Sequence, residues 1–158
     1  MQLSGSVNIK APRVKVFEFL TDPEQVSKCA PGVEKVEVVE AGRKFHAIAA
    51  IGFGTVKARF AGHAEFVELE APRRAKIKAH GSAPGSAADV ISEMILADGP
   101  DGTTDMQWTA DVVILGSLAS LAARMMKPVT QTLTEQFFAC VKKKIEGLRK
   151  DVQDQASL

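Results

Sequence analysis

The stretch VKARFAGHAEF, residues 56–66, decides the fold class of this chain. Apolar or small residues occupy every second position from Val56 to Phe66, and charged residues such as Lys57 and Arg59 lie between them. Strict alternation over this length predicts a β-strand with one face buried and the other face exposed to solvent.

A second alternating run, residues 74–81, follows a turn at Ala71-Pro72. We expect Glu70 to pair with Arg73 across that turn, because the apolar positions of both runs then share one face of an antiparallel hairpin. The same reasoning along the sheet predicts four pairs of cross-strand neighbours: Phe66 with Ile77, His63 with His80, Met94 with Trp108, and Phe45 with Gly62.

Further strands on both sides of this hairpin complete an antiparallel meander. Ala11-Pro12 opens a short helix after the first strand, and Asp22-Pro23 caps a second short helix that ends before Ala30-Pro31-Gly32. The predicted strands cover residues 2–10, 33–41, 44–51, 56–66, 74–81, 87–97 and 104–115.

The chain ends in one long amphipathic helix, whose apolar stripe recurs every three or four residues from Leu118 to Leu148. Pro128 cannot donate a hydrogen bond to the carbonyl of Arg124, so we expect the helix to kink or split there. The sheet and the helix must bury their apolar faces together. The predicted fold class is therefore α+β: a bent antiparallel sheet of about seven strands wrapped around the C-terminal helix, with two short helices after strand 1.

Length and composition indicate one globular domain. The chain has 158 residues, of which 46% are apolar and 25% charged, which is ordinary for a folded domain; we assign the domain to residues 1–150 and a short tail to residues 151–158. The net charge of +1 argues against nucleic-acid binding, and neither a targeting segment nor a membrane span is visible. Cys29 and Cys140 lie far apart, which indicates unpaired, buried cysteines and a cytoplasmic protein.

The predicted inner face of the sheet carries unusually small side chains, such as Ala58, Gly62 and Ala79. Small residues either let the helix approach closely or leave a cavity, and we expect a largely apolar cavity. The methionines predicted near this cavity can equally be explained as side chains that fill the core. The predicted cavity residues are Phe45, Phe60, Phe66, Met94, Trp108, Leu118, Leu121, Met125 and Val129, and the predicted gate loops contain Pro31, Gly32, Pro84 and Gly85.

Three motifs in this chain resemble the family of carbon monoxide dehydrogenase G-subunits. They are the segment from Ala11-Pro12 to Cys29-Ala30-Pro31-Gly32, the run Gly52–Gly62, and Gln136-Phe137-Phe138. That family belongs to the START-like (SRPBCC) helix-grip superfamily, which includes polyketide cyclases and lipid-transfer domains. The chain departs from the family pattern at three positions. Thr55 stands where proline is usual, Ala122 stands where glycine is usual, and Pro128 is a proline that the family pattern does not have.

The resemblance implies an accessory role beside a molybdenum-containing carbon monoxide dehydrogenase or a related enzyme. That role is recruitment of the enzyme to the inner face of the membrane, or handling of an apolar small molecule. Because this enzyme class passes electrons to membrane quinones, the resemblance implies a quinone or a lipid as the occupant of the cavity. No other cofactor is expected.

Signatures of catalysis are few in this sequence. The GxSxG, P-loop and GxGxxG motifs are absent, and we assign no ionisable residue to the inner face, so we do not expect an enzyme. His63 and His80 are predicted neighbours on the outer face. Since Lys44 and Lys78 beside them repel a cation, a solvated surface pair is favoured over a metal site, which needs at least three ligands.

Three functions remain open from the sequence. The first is a non-catalytic carrier or sensor of a hydrophobic ligand, the second a protein–protein adaptor without a ligand, and the third a polyketide-cyclase-like enzyme. The basic residues Lys142–Lys144 near the end of the long helix interact favourably with the helix dipole. Contact with anionic lipid headgroups is the functional alternative for these lysines.

Overall fold

The computed structural model describes residues 1–156, with side chains for residues 1–147. A seven-stranded antiparallel sheet packs against one long helix, and two short helices follow the first strand. The elements are β1 (Gln2–Ile9), α1 (Arg13–Leu20), α2 (Pro23–Val26), β2 (Val33–Glu40), β3 (Lys44–Phe53), β4 (Val56–Glu70), β5 (Arg74–Ala83), β6 (Ser86–Asp98), β7 (Thr104–Gly116) and α3 (Ala119–Ala156). The predicted α+β helix-grip architecture is confirmed.

The strands lie in the order β1-β7-β6-β5-β4-β3-β2, so β1 and β2 form the two edges of the sheet. The predicted pairs Phe66–Ile77, His63–His80 and Met94–Trp108 are confirmed. The prediction for Phe45 is wrong, because Phe45 faces Ala64. The β3–β4 turn is tighter than expected: Phe53 already pairs with Val56, and this moves the register by two residues.

The turn between β4 and β5 differs from the prediction, yet most of the predicted register between these strands is correct. A β-bulge explains this. Glu70 faces Arg74 rather than Arg73, so the turn spans three residues. The register then shifts between Phe66 and Glu68, where β4 holds one extra residue, Val67. This bulge compensates for the longer turn and keeps the apolar residues of both strands on the inner face.

The helix boundaries follow local capping. Asp22 caps α2 through a 3.0 Å hydrogen bond from the Glu24 amide to its carboxylate, as the sequence predicts. Helix α3 continues through Pro128, so of the two expected outcomes, a kink or a split, the split does not occur. Pro128 is exposed, and its ring therefore meets solvent rather than packed neighbours. The helix extends to Ala156, into the predicted tail; the side chain of Leu148 and residues 157–158 lie outside the described part.

The core is packed at both ends of α3. One cluster gathers α1, the end of β6 and the C-terminal half of α3 around the fully buried Val16, Leu96 and Val141. The other gathers the β3–β4 hairpin and the start of α3 around Phe53 and Ala122. The middle of α3, between these two clusters, is where the sheet and the helix leave space.

The cysteine prediction is wrong: Cys29 and Cys140 form a disulfide, with their Cα atoms 5.3 Å apart. The bond joins the segment after α2 to α3 across 111 residues of sequence. Such a separation hides the pairing from any interpretation of local spacing, and only the tertiary fold brings the segment after α2 against α3, where Cys140 also lies near the Lys28 carbonyl. Because the two cysteines are paired, they no longer support the prediction of a reducing compartment.

Over residues 1–156, the chain contains no helix that combines the length and the apolarity required to cross a bilayer.

Candidate functional site

The first cavity lies between the inner face of the sheet and the C-terminal part of α3. It has a volume of about 380 Å³ and is partly open to solvent. Five aromatic side chains dominate its wall, with Met94 and Met106 beside them, and Ser92 and Thr134 provide hydroxyl groups. The aromatic residues of this cavity are Phe45, Phe66, Trp108, Phe137 and Phe138.

The second cavity lies further toward the start of α3 and has a volume of about 370 Å³. Its wall is made mostly of small and branched aliphatic residues from the inner face of β3 to β7, with Phe53 and Phe60 at one end. Alternation in each strand explains this composition, since every second residue, such as Ala47, Ala79 and Val112, points to the inner face. The residues are small enough to leave the space open.

Leu133 of α3 lines both cavities and therefore lies where they are nearest to each other. A wider groove of about 850 Å³ runs between β1 and α3. It shares Trp108 and Thr134 with the first cavity, and Leu3 and Thr130 with the second. The three spaces therefore surround the middle of α3.

The structure brings together most of the predicted cavity residues. Phe45, Phe66, Met94 and Trp108 line the first cavity, and Phe60 and Val129 line the second. Three others lie elsewhere, because the first turns of α3 pack closely on the β3–β4 hairpin. These are Leu118, Leu121 and Met125, which belong to the packed cluster around Phe53.

Sequence reasoning missed several wall residues on α3. Leu133, Phe137 and Phe138 all line the first cavity. The signal was present as part of the apolar stripe, in which Phe137 and Phe138 are neighbouring aromatic residues with ring centroids 5.1 Å apart. Periodicity identifies such residues as buried, but it does not tell which of them face empty space.

The two predicted gate loops differ in position. Pro31 lines the first cavity, and the next residue, Gly32, accepts a 2.8 Å hydrogen bond from the Ala50 amide. Pro84 and Gly85 form the β5–β6 turn, which is tied to the start of α3 by a 2.9 Å bond from the Ser117 amide to the Gly85 carbonyl. That turn lines neither of the two cavities.

Ionisable side chains are nearly absent from both cavity walls. Among the described side chains of residues 1–147, none that lines the first cavity is ionisable, and His63 and His80 are the ionisable residues on the wall of the second. Both histidines are exposed and alternate with inward-facing residues, so they meet the cavity through their backbone. The interior therefore favours apolar molecules, and the hydroxyls of Ser92 and Thr134 are the polar side-chain groups that line the first cavity.

Histidines form a row across the outer face of the sheet. His46 faces His63, and His63 faces His80, with ring centroids 6.4 and 6.0 Å apart. His80 lies 2.6 Å from a carboxylate oxygen of Asp89. In the part of the chain with described side chains, no three His, Cys, Asp or Glu residues converge as metal ligands.

An ion-pair network stabilises the same outer face. Arg74 contacts Glu68, Glu70 and Glu93. Hydrogen bonds from Arg74 lower the pKa of the Glu93 carboxyl below its usual value, and the same bonds raise the pKa of the Arg74 guanidinium. The network lies on the side of the sheet opposite to the two cavities.

Solved structures share this architecture. A conserved protein from Geobacillus kaustophilus superposes with a TM-score of 0.85 at 24% identity, covering 93% of this chain and 96% of that one. The ZhuI aromatase/cyclase from Streptomyces sp. R1128 gives 0.70 at 18% identity, covering 92% and 93%, and Ara h 8.0201 gives 0.65 at 15%, covering 93% and 98%. At these identities the likeness establishes the fold alone.

Sequence comparison is more specific. No protein of curated function matches the chain. The model of the CoxG family, the G-subunits of carbon monoxide dehydrogenase, matches residues 5–146. This match runs from within β1 into α3 and includes every residue that lines either cavity except Leu3. The chain therefore belongs to the CoxG family of carbon monoxide dehydrogenase G-subunits.

Proposed function

We propose that this protein is a non-catalytic binding protein for a hydrophobic small molecule, accessory to a molybdenum-containing carbon monoxide dehydrogenase or a related enzyme. The observation that carries the proposal is the pair of apolar cavities on either side of Leu133. Their volumes lie in the range of small-molecule sites, roughly 300–1,000 Å³. Membership of the CoxG family supplies the accessory role.

The two cavities differ in the shape of ligand they suit. The aromatic wall of the first accepts a planar ring by stacking, and the Thr134 hydroxyl supplies a donor for a ring oxygen. The aliphatic wall of the second accepts a flexible hydrocarbon chain, each buried methylene contributing about 0.8 kcal/mol. A ring with an attached chain is the shape of a quinone, which we propose as the ligand in preference to a simple fatty acid.

Exchange of such a ligand requires contact with a membrane or with the partner enzyme. We propose that the exposed Lys143 and Lys144 approach anionic headgroups, which attract basic residues by about 1 kcal/mol each near the surface. Pro31 and Phe138 line the first cavity, and we propose that the ligand enters between them.

The chain provides its own reporter for the decisive experiment, since Trp108 is its only tryptophan and lines the first cavity. The purified protein is examined by native mass spectrometry, and any bound molecule is extracted and identified. The delipidated protein is then titrated with decylubiquinone and, separately, with palmitic acid. We expect saturable quenching of the Trp108 emission by the quinone, with a stoichiometry of one.

Two leucine substitutions on the same strand form a matched test. Ala64→Leu places extra volume at the buried wall of the second cavity, whereas Ala61→Leu adds the same volume on the exposed face. We expect Ala64→Leu to weaken quinone binding and Ala61→Leu to leave it unchanged. Protein that carries no ligand and takes up neither probe contradicts the proposal. Turnover of the probe into a new product contradicts its non-catalytic part.

A further inference from the structure

The two edge strands of the sheet differ in how they are protected against pairing with a strand of another molecule. Within residues 1–156, β1 pairs only with β7, and β2 pairs only with β3. Strand β2 carries the charged residues Glu34, Lys35, Glu37 and Glu40 and has two register irregularities, which are common protections against edge-to-edge association. Strand β1, with the sequence QLSGSVNI, has neither charges nor bulges.

The outward hydrogen-bonding groups of β1 can be assigned. Met1 exchanges both backbone hydrogen bonds with Val112 of β7, each 2.8 Å long. Successive residues of a strand turn their N–H and C=O groups to opposite edges. Leu3, Gly5 and Val7 therefore face β7, as Met1 does, and the backbone groups of Gln2, Ser4, Ser6 and Asn8 point away from the sheet.

The sequence of β1 is close to its own reverse. Reading outward from Gly5, serines are followed by the aliphatic residues Leu3 and Val7 and then by side-chain amides. An antiparallel copy centred on Gly5 therefore sets like against like. The facing pairs are Ser4 with Ser6, Leu3 with Val7, and Gln2 with Asn8.

From this symmetry we infer that the partner of the β1 edge is a second copy of the chain, joined through β1 in antiparallel orientation with a two-fold axis at Gly5. The register also has the correct backbone parity, since every outward-facing residue meets an outward-facing residue and each pair exchanges two hydrogen bonds. An isologous contact of this kind closes at the dimer. The inference does not depend on the ligand proposed above.

The dimer axis passes beside the candidate ligand site. Gly5 lies under the ring of Trp108, whose indole nitrogen would be 2.7 Å from a β-carbon at that position. The groove between β1 and α3 opens along the same edge and includes Trp108. Addition of a strand extends the sheet along this groove, so we expect dimerisation to change the Trp108 emission.

Sedimentation equilibrium of the full chain, from low micromolar to millimolar concentration, tests the inference. We expect a reversible rise toward twice the 16.9 kDa of one chain. Ser6→Pro removes an outward N–H that β7 does not use, and edge strands tolerate proline at such positions. It should weaken dimerisation by about tenfold or more, since the two-fold symmetry removes two hydrogen bonds at once. Ser6→Thr, which keeps the N–H, should not.

A charge test identifies the register even if the proline variant does not fold. In the proposed dimer, position 4 of one copy faces position 6 of the other. Ser4→Lys with Ser6→Lys therefore places lysines opposite each other and should give a monomer, whereas Ser4→Lys with Ser6→Glu should restore the dimer. Wild-type protein that stays monomeric, or a dimer equally stable in both double variants, would overturn the inference.

Discussion

The ring of Trp108 lies against Gly5 of the neighbouring strand, and a β-carbon on Gly5 would come within 2.7 Å of the indole nitrogen and 2.9 Å of two ring carbons. Trp108 can form the wall of the first cavity only because its neighbour in β1 has no side chain. The relationship joins the edge of the sheet to the candidate ligand site.

Gly5→Ala should therefore displace the indole and disturb the first cavity. We expect a loss of about 1–3 kcal/mol in the free energy of unfolding, as for other overpacked sites, together with a shift in Trp108 emission. Urea unfolding followed by fluorescence measures both. Gly52→Ala is the matched control, since a β-carbon there meets nothing within 4 Å; an equal effect of both substitutions would contradict the explanation.

Leu133→Ala should join the two cavities, because Leu133 lines both of them. Leu133 is only half-buried, so we expect a cost below the ~2–5 kcal/mol of a fully buried leucine. Binding should shift toward quinones with longer chains, measured by Trp108 quenching with a series of chain lengths. Val129→Ala shortens a residue that lines the second cavity alone and serves as the control. If the Leu133→Ala variant kept the wild-type preference for quinone chain length, Leu133 would not separate the two cavities.

Loss of the Cys29–Cys140 disulfide should destabilise the protein. The bond closes a loop of 111 residues, and removal of a native disulfide commonly costs about 2–5 kcal/mol. Urea unfolding of the oxidised protein, with and without dithiothreitol, measures this difference. The Cys29→Ser/Cys140→Ser variant should resemble the reduced wild type and should not respond to the reductant. If dithiothreitol left the unfolding midpoint of the wild type unchanged, the disulfide would not stabilise the protein.

The same bond joins two segments that line the first cavity. Cys29 is followed by Ala30 and Pro31, both of which line that cavity, and Cys140 lies two residues beyond Phe138. We therefore expect faster release of bound quinone after reduction, measured by stopped-flow recovery of Trp108 emission. Equal release rates in the oxidised and reduced protein would place the route of entry elsewhere.

The ion pair of Glu93 with Arg74 should make stability depend on pH in the acid range. The hydrogen bonds from Arg74 lower the pKa of Glu93 from its usual value of 4.5, so the carboxylate stabilises the fold above that pH and loses the effect as the pH falls below it. Glu93→Gln should lower the Tm at neutral pH and converge with the wild type in strong acid. Glu37→Gln, on the exposed face of β2, should show no such pattern; a constant difference at every pH would exclude the ionic explanation.

Local alternation in the sequence was sufficient to predict most of the sheet. The side chains of β4 and β5 alternate so strictly that only one register buries Phe66 and Ile77 together, since a shift of one residue turns every side chain to the opposite face. The extra residue at Val67 was not predictable, because a bulge leaves the alternation on either side of it intact.

The amino-acid sequence by itself thus determined the strands, the inner and outer faces, the apolar stripe of α3 and the aromatic residues that a cavity needs. Only the tertiary structure decided that Leu118, Leu121 and Met125 pack closely while Leu133, Phe137 and Phe138 face open space. It also decided that Cys29 meets Cys140. The physical reason is that periodicity shows which side of a helix or strand is buried. Cavities and long-range bonds depend instead on the distance between elements, and the packing of both ends of α3 against the sheet determines that distance.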